Sequence, residues 1–118
     1  MISITAIAII LLAHWAGDFL LQSNKMAMEK GRDNLWLTLH VISYSSVMLL
    51  VSFLLFGFSI AAIQWTLVNA ALHWITDYYT SRLNVRLKKE SVHYFFVGIG
   101  FDQMVHYLCL FGTYTLLT

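Results

Sequence analysis

Two short phrases in the sequence share an order of residues that can do chemistry: His14-Trp15-Ala16-Gly17-Asp18-Phe19 and His73-Trp74-Ile75-Thr76-Asp77-Tyr78. In each, an imidazole and a carboxylate stand four positions apart inside a long apolar stretch. An ionisable side chain is costly to keep there and usually marks a site. Asp102 and His106 repeat the spacing in reverse order, and His40 supplies a fourth intramembrane imidazole. Imidazole nitrogens and carboxylate oxygens are the donors that hold divalent metals and relay protons.

Helical geometry puts each pair on one face, because residues four apart lie about 40° apart around the axis and about 6 Å apart along it. Gln22 extends the stripe of His14 and Asp18, Asn69 extends that of His73 and Asp77, and Tyr44 lies one turn from His40. Ala13 and Gly17 form a small-x-x-x-small pair that would let the first helix approach a neighbour closely. Trp15 and Trp74 point about 100° away from the histidines, towards packing or lipid. His93 lies on the opposite face from Asp102 and reads as an interfacial residue.

The elements that must position these groups are membrane spans. The chain is 118 residues long, 59% hydrophobic and only 11% charged, with no proline and 15% aromatic residues. Soluble domains carry roughly 25% charged residues. A spanning helix needs about 20 mostly apolar residues, and four stretches qualify: 2–22, 35–57, 59–80 and 94–117. The alternating pattern of a membrane β-barrel is absent. The expected fold is all-α, a single transmembrane domain over residues 1–118 built as a four-helix bundle. The first stretch lacks a basic start and a small-residue cleavage site and is read as a retained helix.

All 7 basic residues fall in two places, Lys25, Lys30 and Arg32 between the first and second spans, and Arg82, Arg86, Lys88 and Lys89 between the third and fourth. By the positive-inside rule both loops face the cytoplasm and both termini lie outside, as expected for a cytoplasmic (inner) membrane protein. Trp36 and Tyr94 suit the interface. The spans bearing the repeated phrase then run the same way, each followed by a basic loop and a returning helix, so the chain reads as two parallel-related hairpins.

Depth brings the ionisable residues together. His14, Asp18, His40, His73, Asp77, Asp102 and His106 all fall in the cytoplasmic half of their spans, where a bundle can converge them on a metal, as carboxylate and imidazole ligands do between facing helices. The donor set suits Zn, Mn or Fe better than Mg or Ca, and seven donors serve either one ion with orienting partners or two ions. Single His–Asp pairs in a membrane more often neutralise each other or hydrogen-bond between helices. Three pairs and His40 at one depth favour metal over a metal-free proton network or structural pairing.

Other features exclude more than they suggest. Cys109 is the single cysteine, so no internal disulfide forms. No basic block is long enough for nucleic acid.

The stretch from His14 through Asp18, Gln22 and Lys25, followed by His40, His73-x-x-x-Asp77-Tyr78 and Asp102-Gln103-x-x-His106, resembles a small bacterial and phage membrane family, the domain of unknown function number 3307. The resemblance runs over essentially the whole chain and implies a four-helix integral membrane protein with a His/Asp centre. More loosely, the arrangement is similar to bacterial inner-membrane proteins described as metal-dependent hydrolases, and only that similarity implies chemistry.

The expected function is a membrane-embedded metal-dependent hydrolase acting near the cytoplasmic leaflet on a lipid-linked phosphate or ester. A bound ion acidifies water and polarises the substrate. Asp18, Asp77 and Asp102 are the candidate catalytic carboxylates. Lys25 and Arg82, with Lys30 and Arg86, stand at the mouth with Gln22 to hold substrate. The alternatives are a metal-ion or proton transport module, which an oligomer could build, and a structural protein whose ion is closed to substrate.

Overall fold

A computed structural model describes residues 1–118, and the chain is entirely helical. Helix α1 (Ile4–Trp15) runs into a π-helical turn (Ala16–Leu20); α2 (Asn24–Glu29), α3 (Asn34–Phe56), α4 (Ile60–Glu90) and α5 (Val92–Leu117) follow. Each α-helix starts at a residue whose side-chain oxygen accepts a backbone N–H of its first turn: Ser3, Ser23, Asp33, Ser59 and Ser91. These caps satisfy donors that a helix start otherwise leaves unpaired. Gly57 ends α3 at φ 70°, a conformation open to glycine, so the chain turns sharply into α4.

Two expectations are corrected. The segment between the first two spans is not a plain loop, because Ser23 caps the short helix α2. The third helix does not stop at residue 80 but continues for 10 further residues, so Arg82, Arg86, Lys88 and Lys89 ride on α4 rather than in a loop. Falling hydropathy ends an apolar span, but Arg, Leu, Lys and Glu are good helix formers, and no glycine or proline interrupts them. Only Ser91 separates α4 from α5.

Two helices, α3 and α5, are long and apolar enough by themselves to cross a membrane, while α1 with its π turn is a shorter apolar helix. Helix α3 packs on α1 and α4, and α5 packs on α4 and more sparsely on α1. Helices α1 and α4 therefore occupy opposite corners. The molecule measures 44 × 27 × 21 Å.

Burial is inverted relative to a soluble protein. Only 23 of 118 residues are buried, and 11 of these are polar or charged, while leucines, isoleucines and phenylalanines crowd the outside. The interior is graded along its length. At one end Ile10, Ala13, Tyr44, Met48, Trp65 and Leu110 form an apolar cluster. Along the same buried stripes, every three or four residues, each helix then turns polar: Ile10 gives way to His14 and Asp18, Met48 to Tyr44 and His40, Trp65 to Asn69, His73 and Asp77, and Leu110 to His106 and Asp102.

Candidate metal centre

The polar half of the interior gathers all seven residues of the expected His/Asp set, and each is buried. Their helices bring them from four corners: His14 from α1, Asp18 from the π turn, His40 from α3, His73 and Asp77 from α4, Asp102 and His106 from α5. Gly17 lets this happen on one side, because a Cβ there would lie 2.8 Å from the Tyr44 ring. Single π turns inside α-helices recur at functional sites, where they re-aim side chains, and here the π turn carries Asp18.

Asp18, His40, His73 and Asp77 each bring a ligand atom within 4.8 Å of the others. His40 Nε2 lies 3.2 Å from His73 Nε2, 2.9 Å from Asp18 Oδ1 and 3.3 Å from Asp77 Oδ2. His73 Nε2 lies 3.5 Å from Asp18 Oδ1 and 3.2 Å from Asp77 Oδ2. A tetrahedron of donors set 2.0–2.1 Å from a metal has edges of about 3.3–3.4 Å. The observed spacings cluster around that value.

Alignment separates a ligand set from a hydrogen-bond network. Asp18 Oδ1 is buried without an aligned hydrogen bond although His40 Nε2 is 2.9 Å away. Within the group only the His40–His73 contact is aligned, and two imidazoles need a proton between them to make it favourable. The grouped imidazole nitrogens and carboxylate oxygens could hold a metal ion. The Nδ1 atoms of His40 and His73 have no partner, so both histidines lack the orienting contact that metal-bound imidazoles commonly keep.

His14 stands one layer out. Gln103 Nε2 donates to Asp18 Oδ2 at 3.1 Å and to Asp102 Oδ2 at 3.0 Å, which turns its Oε1 to His14 Nε2 at 2.7 Å. His14 therefore donates from Nε2, and its Nδ1 accepts from the Tyr44 hydroxyl at 2.8 Å. Both ring nitrogens are engaged, and His14 holds Gln103 against the two carboxylates. Asp102 is braced from the other side by the Thr80 hydroxyl at 2.5 Å, and His106 Nε2 lies 3.0 Å from Asp77 Oδ1.

The centre opens on a cavity of about 700 Å³. Asp18, Asp77, Asp102 and Gln103 line its inner wall, Gln22 borders it, and Lys30, Arg32, Lys88 and Lys89 supply cationic walls. Lys30 reaches furthest in, with Nζ 3.3 Å from Asp77 Oδ2. Burial alone works against its ammonium, but the carboxylates of Asp77, Asp18 and Asp102 outweigh burial and hold its pKa above the ordinary lysine value.

Two expected substrate-binding residues lie elsewhere. Lys25 sits over the Trp36 ring, 5.2 Å from its centroid. Arg82 stacks on Tyr78 at 3.8 Å and donates to Asn34 Oδ1 at 2.5 Å. Neither lines the cavity, and neither does Arg86, which the sequence also placed at its mouth. His93 is exposed, away from the centre. Sequence reasoning gave no role to Gln103, whose one signal was an amide beside Asp102 in an otherwise apolar span.

No curated protein and no solved structure matches the chain. The family model described as "Protein of unknown function (DUF3307)" matches residues 6–118, in agreement with the resemblance read from the sequence, and the chain belongs to that family.

Proposed function

We propose that the protein is a membrane-embedded, metal-dependent hydrolase that acts on a phosphate or ester linked to a lipid. The observation that carries this reading is the four-donor set of Asp18, His40, His73 and Asp77, whose two carboxylates line a cavity rimmed by Lys30, Arg32, Lys88 and Lys89.

The membrane part rests on the inverted burial and on length. At 1.5 Å per residue a span of 20 residues covers about 30 Å, the thickness of a bilayer core. Helices α3 and α5 meet this alone; α1 with its π turn and the first two thirds of α4 complete four spans, arranged as two parallel-related hairpins. The basic end of α4 and the turn around Lys30 then face the cytoplasm, with both termini outside the inner membrane.

A divalent ion at the four donors would polarise a phosphoryl or acyl oxygen and acidify a water. Zn, Mn and Fe suit the mixed donor set. The chain does the rest. His14, Tyr44 and Gln103 hold the carboxylates in register, and a carboxylate oxygen not taken by an ion accepts the proton of the attacking water. Lys30 and the cationic walls bind the substrate anion, and Gln22 contacts the head group.

Transport of a metal ion or of protons is the competing reading. The apolar cluster of Ile10, Met48, Trp65 and Leu110 argues against it, because it fills the interior beyond the centre where a conduit would need polar groups.

The test is purification in mild detergent, elemental analysis for bound metal, and assay of phosphate release from phosphatidic acid and a polyprenyl diphosphate in mixed micelles. The reading expects stoichiometric metal and turnover abolished by a chelator. Protein without metal, or turnover indifferent to chelation, overturns it. Metal or proton flux into liposomes without hydrolysis would favour transport.

A further inference from the structure

The two aspartates of the repeated phrase divide their oxygens between two sets of partners. Asp77 turns Oδ2 to His40 and His73, at 3.3 and 3.2 Å, and turns Oδ1 to His106 at 3.0 Å. Asp18 turns Oδ1 to the same two histidines, at 2.9 and 3.5 Å, and Oδ2 to the Gln103 amide at 3.1 Å. Beyond them His106 Nε2 stands 3.3 Å from Asp102 Oδ2. Donor atoms of Asp18, Asp102 and His106 form a second group lying within 4.8 Å of one another. Unlike the first group it is hydrogen-bonded, with His106 Nε2 aligned on Asp77 Oδ1 and the Gln103 amide donating to Asp18 Oδ2 and Asp102 Oδ2, so an ion entering here must displace that amide. Carboxylates shared between two clusters, with imidazoles on either flank, are how helical bundles build paired-metal centres.

We propose that the centre takes two divalent ions, one held by His40 and His73, the other by His106 and Asp102, with Asp18 and Asp77 bridging them through their separate oxygens. This rests on the metal-dependent reading above and extends it from one ion to a pair.

Charge orders the two events. With neutral imidazoles, the three carboxylates and Lys30 leave the centre two negative charges, which one divalent ion neutralises. A second ion leaves an excess of two positive charges in a buried site, a costly state unless an anion joins it. The His40/His73 position therefore fills first and binds tighter. The second position fills readily when an anion enters the cavity beside Lys30, and a phosphate is the anion whose charge and oxygens match. The paired state thus belongs to the protein with substrate or product bound.

The experiment is a titration of metal-stripped protein with Mn²⁺, with and without inorganic phosphate, read by equilibrium dialysis and electron paramagnetic resonance. Two Mn²⁺ per chain in phosphate are expected, with the isolated-ion spectrum replaced by that of a magnetically coupled pair. Without phosphate the second ion should bind at least tenfold more weakly. His106→Ala and Asp102→Asn should each hold one uncoupled ion, with circular dichroism confirming the helical fold. Saturation at one Mn²⁺ in phosphate, or two ions without coupling, overturns the pair on the wild-type protein alone, whatever the variants do. Saturation at one leaves the hydrolase reading standing, whereas no bound metal at all removes both.

Discussion

His40 on α3 and His73 on α4 point their Nε2 atoms at each other across the helix interface, 3.2 Å apart, with a carboxylate oxygen of Asp18 or Asp77 close to both. Two imidazoles at this distance repel through their lone pairs unless a proton or a metal lies between them. The pair is therefore the most direct gauge of whether the centre holds an ion. Replacing either histidine by alanine should weaken Zn²⁺ or Mn²⁺ affinity by about 100-fold or more, since even partners that only orient a ligand are worth 10–100-fold. Competition with a chelating dye measures it, and unchanged affinity in both variants would rule out this position for the ion.

Gln103 links His14 to two carboxylates without belonging to the four-donor group. Gln103→Leu and Tyr44→Phe should retain metal but lose roughly 10–100-fold in affinity or turnover. Gly17→Ala should produce a similar loss without touching any polar group, because its Cβ would press on the Tyr44 ring that supports His14. Normal affinity in all three variants would show that this outer layer does not hold the centre in place.

Lys30 lines the cavity, whereas Lys25 and Arg82 are engaged with Trp36 and Asn34 outside it. A hydrogen bond to a charged group contributes about 1.5–3 kcal/mol. Lys30→Gln should therefore raise KM for a phosphate-bearing lipid by roughly 10–100-fold, while Lys25→Ala and Arg82→Ala change it less than threefold. The reverse order would place the substrate elsewhere.

Trp65 is fully buried in the apolar cluster, and its indole N–H donates to the Leu110 carbonyl at 3.2 Å. Trp65→Ala leaves a cavity and removes one of the hydrogen bonds to the Leu110 carbonyl, at a cost of about 3 kcal/mol or more. Thermal unfolding in detergent should report a lower midpoint with metal stoichiometry intact. If metal is lost at temperatures where the helices persist, the two halves of the interior are coupled more tightly than their separate contacts imply.

Chelation should lower the unfolding midpoint of the wild type, because an ion bound only to the folded state stabilises it by about 2.7 kcal/mol at 100 times its Kd. In His40→Ala the same chelator should have little effect. An equal shift in both proteins would locate the stabilising ion outside the centre.

The gathering of these side chains in the interior was legible in the sequence because they repeat at helical spacing: His14/Asp18, His73/Asp77 and Asp102/His106 are rare residue types in apolar stretches, and any bundle must turn such pairs inward. Less legible were features that depend on distance across the bundle. Nothing in the order of residues shows that Gln103 reaches His14 or that Arg82 turns to Asn34. Helix ends were misjudged where hydropathy and helicity part company, as at Arg82–Glu90, and the caps at Ser23 and Ser91 that start α2 and α5 went unread. The π turn at Ala16–Leu20 has no recognisable signature in its own residues.

The grading of the interior from Ile10, Met48, Trp65 and Leu110 to the His/Asp centre bears on how such a chain can be made. A helix released singly into lipid would expose its own carboxylate or imidazole, at a cost of several kcal/mol for each buried charge. Helix α1, carrying His14 and Asp18, is synthesised before any of its partners. In the four-span reading proposed above, it would wait at the insertion machinery, or sit shallowly in the interface, until α3, α4 and α5 arrive. Assembly would then be a late, collective event, and a variant that keeps every helix but loses the acidic partners of its histidines should fail in biogenesis before it fails in function.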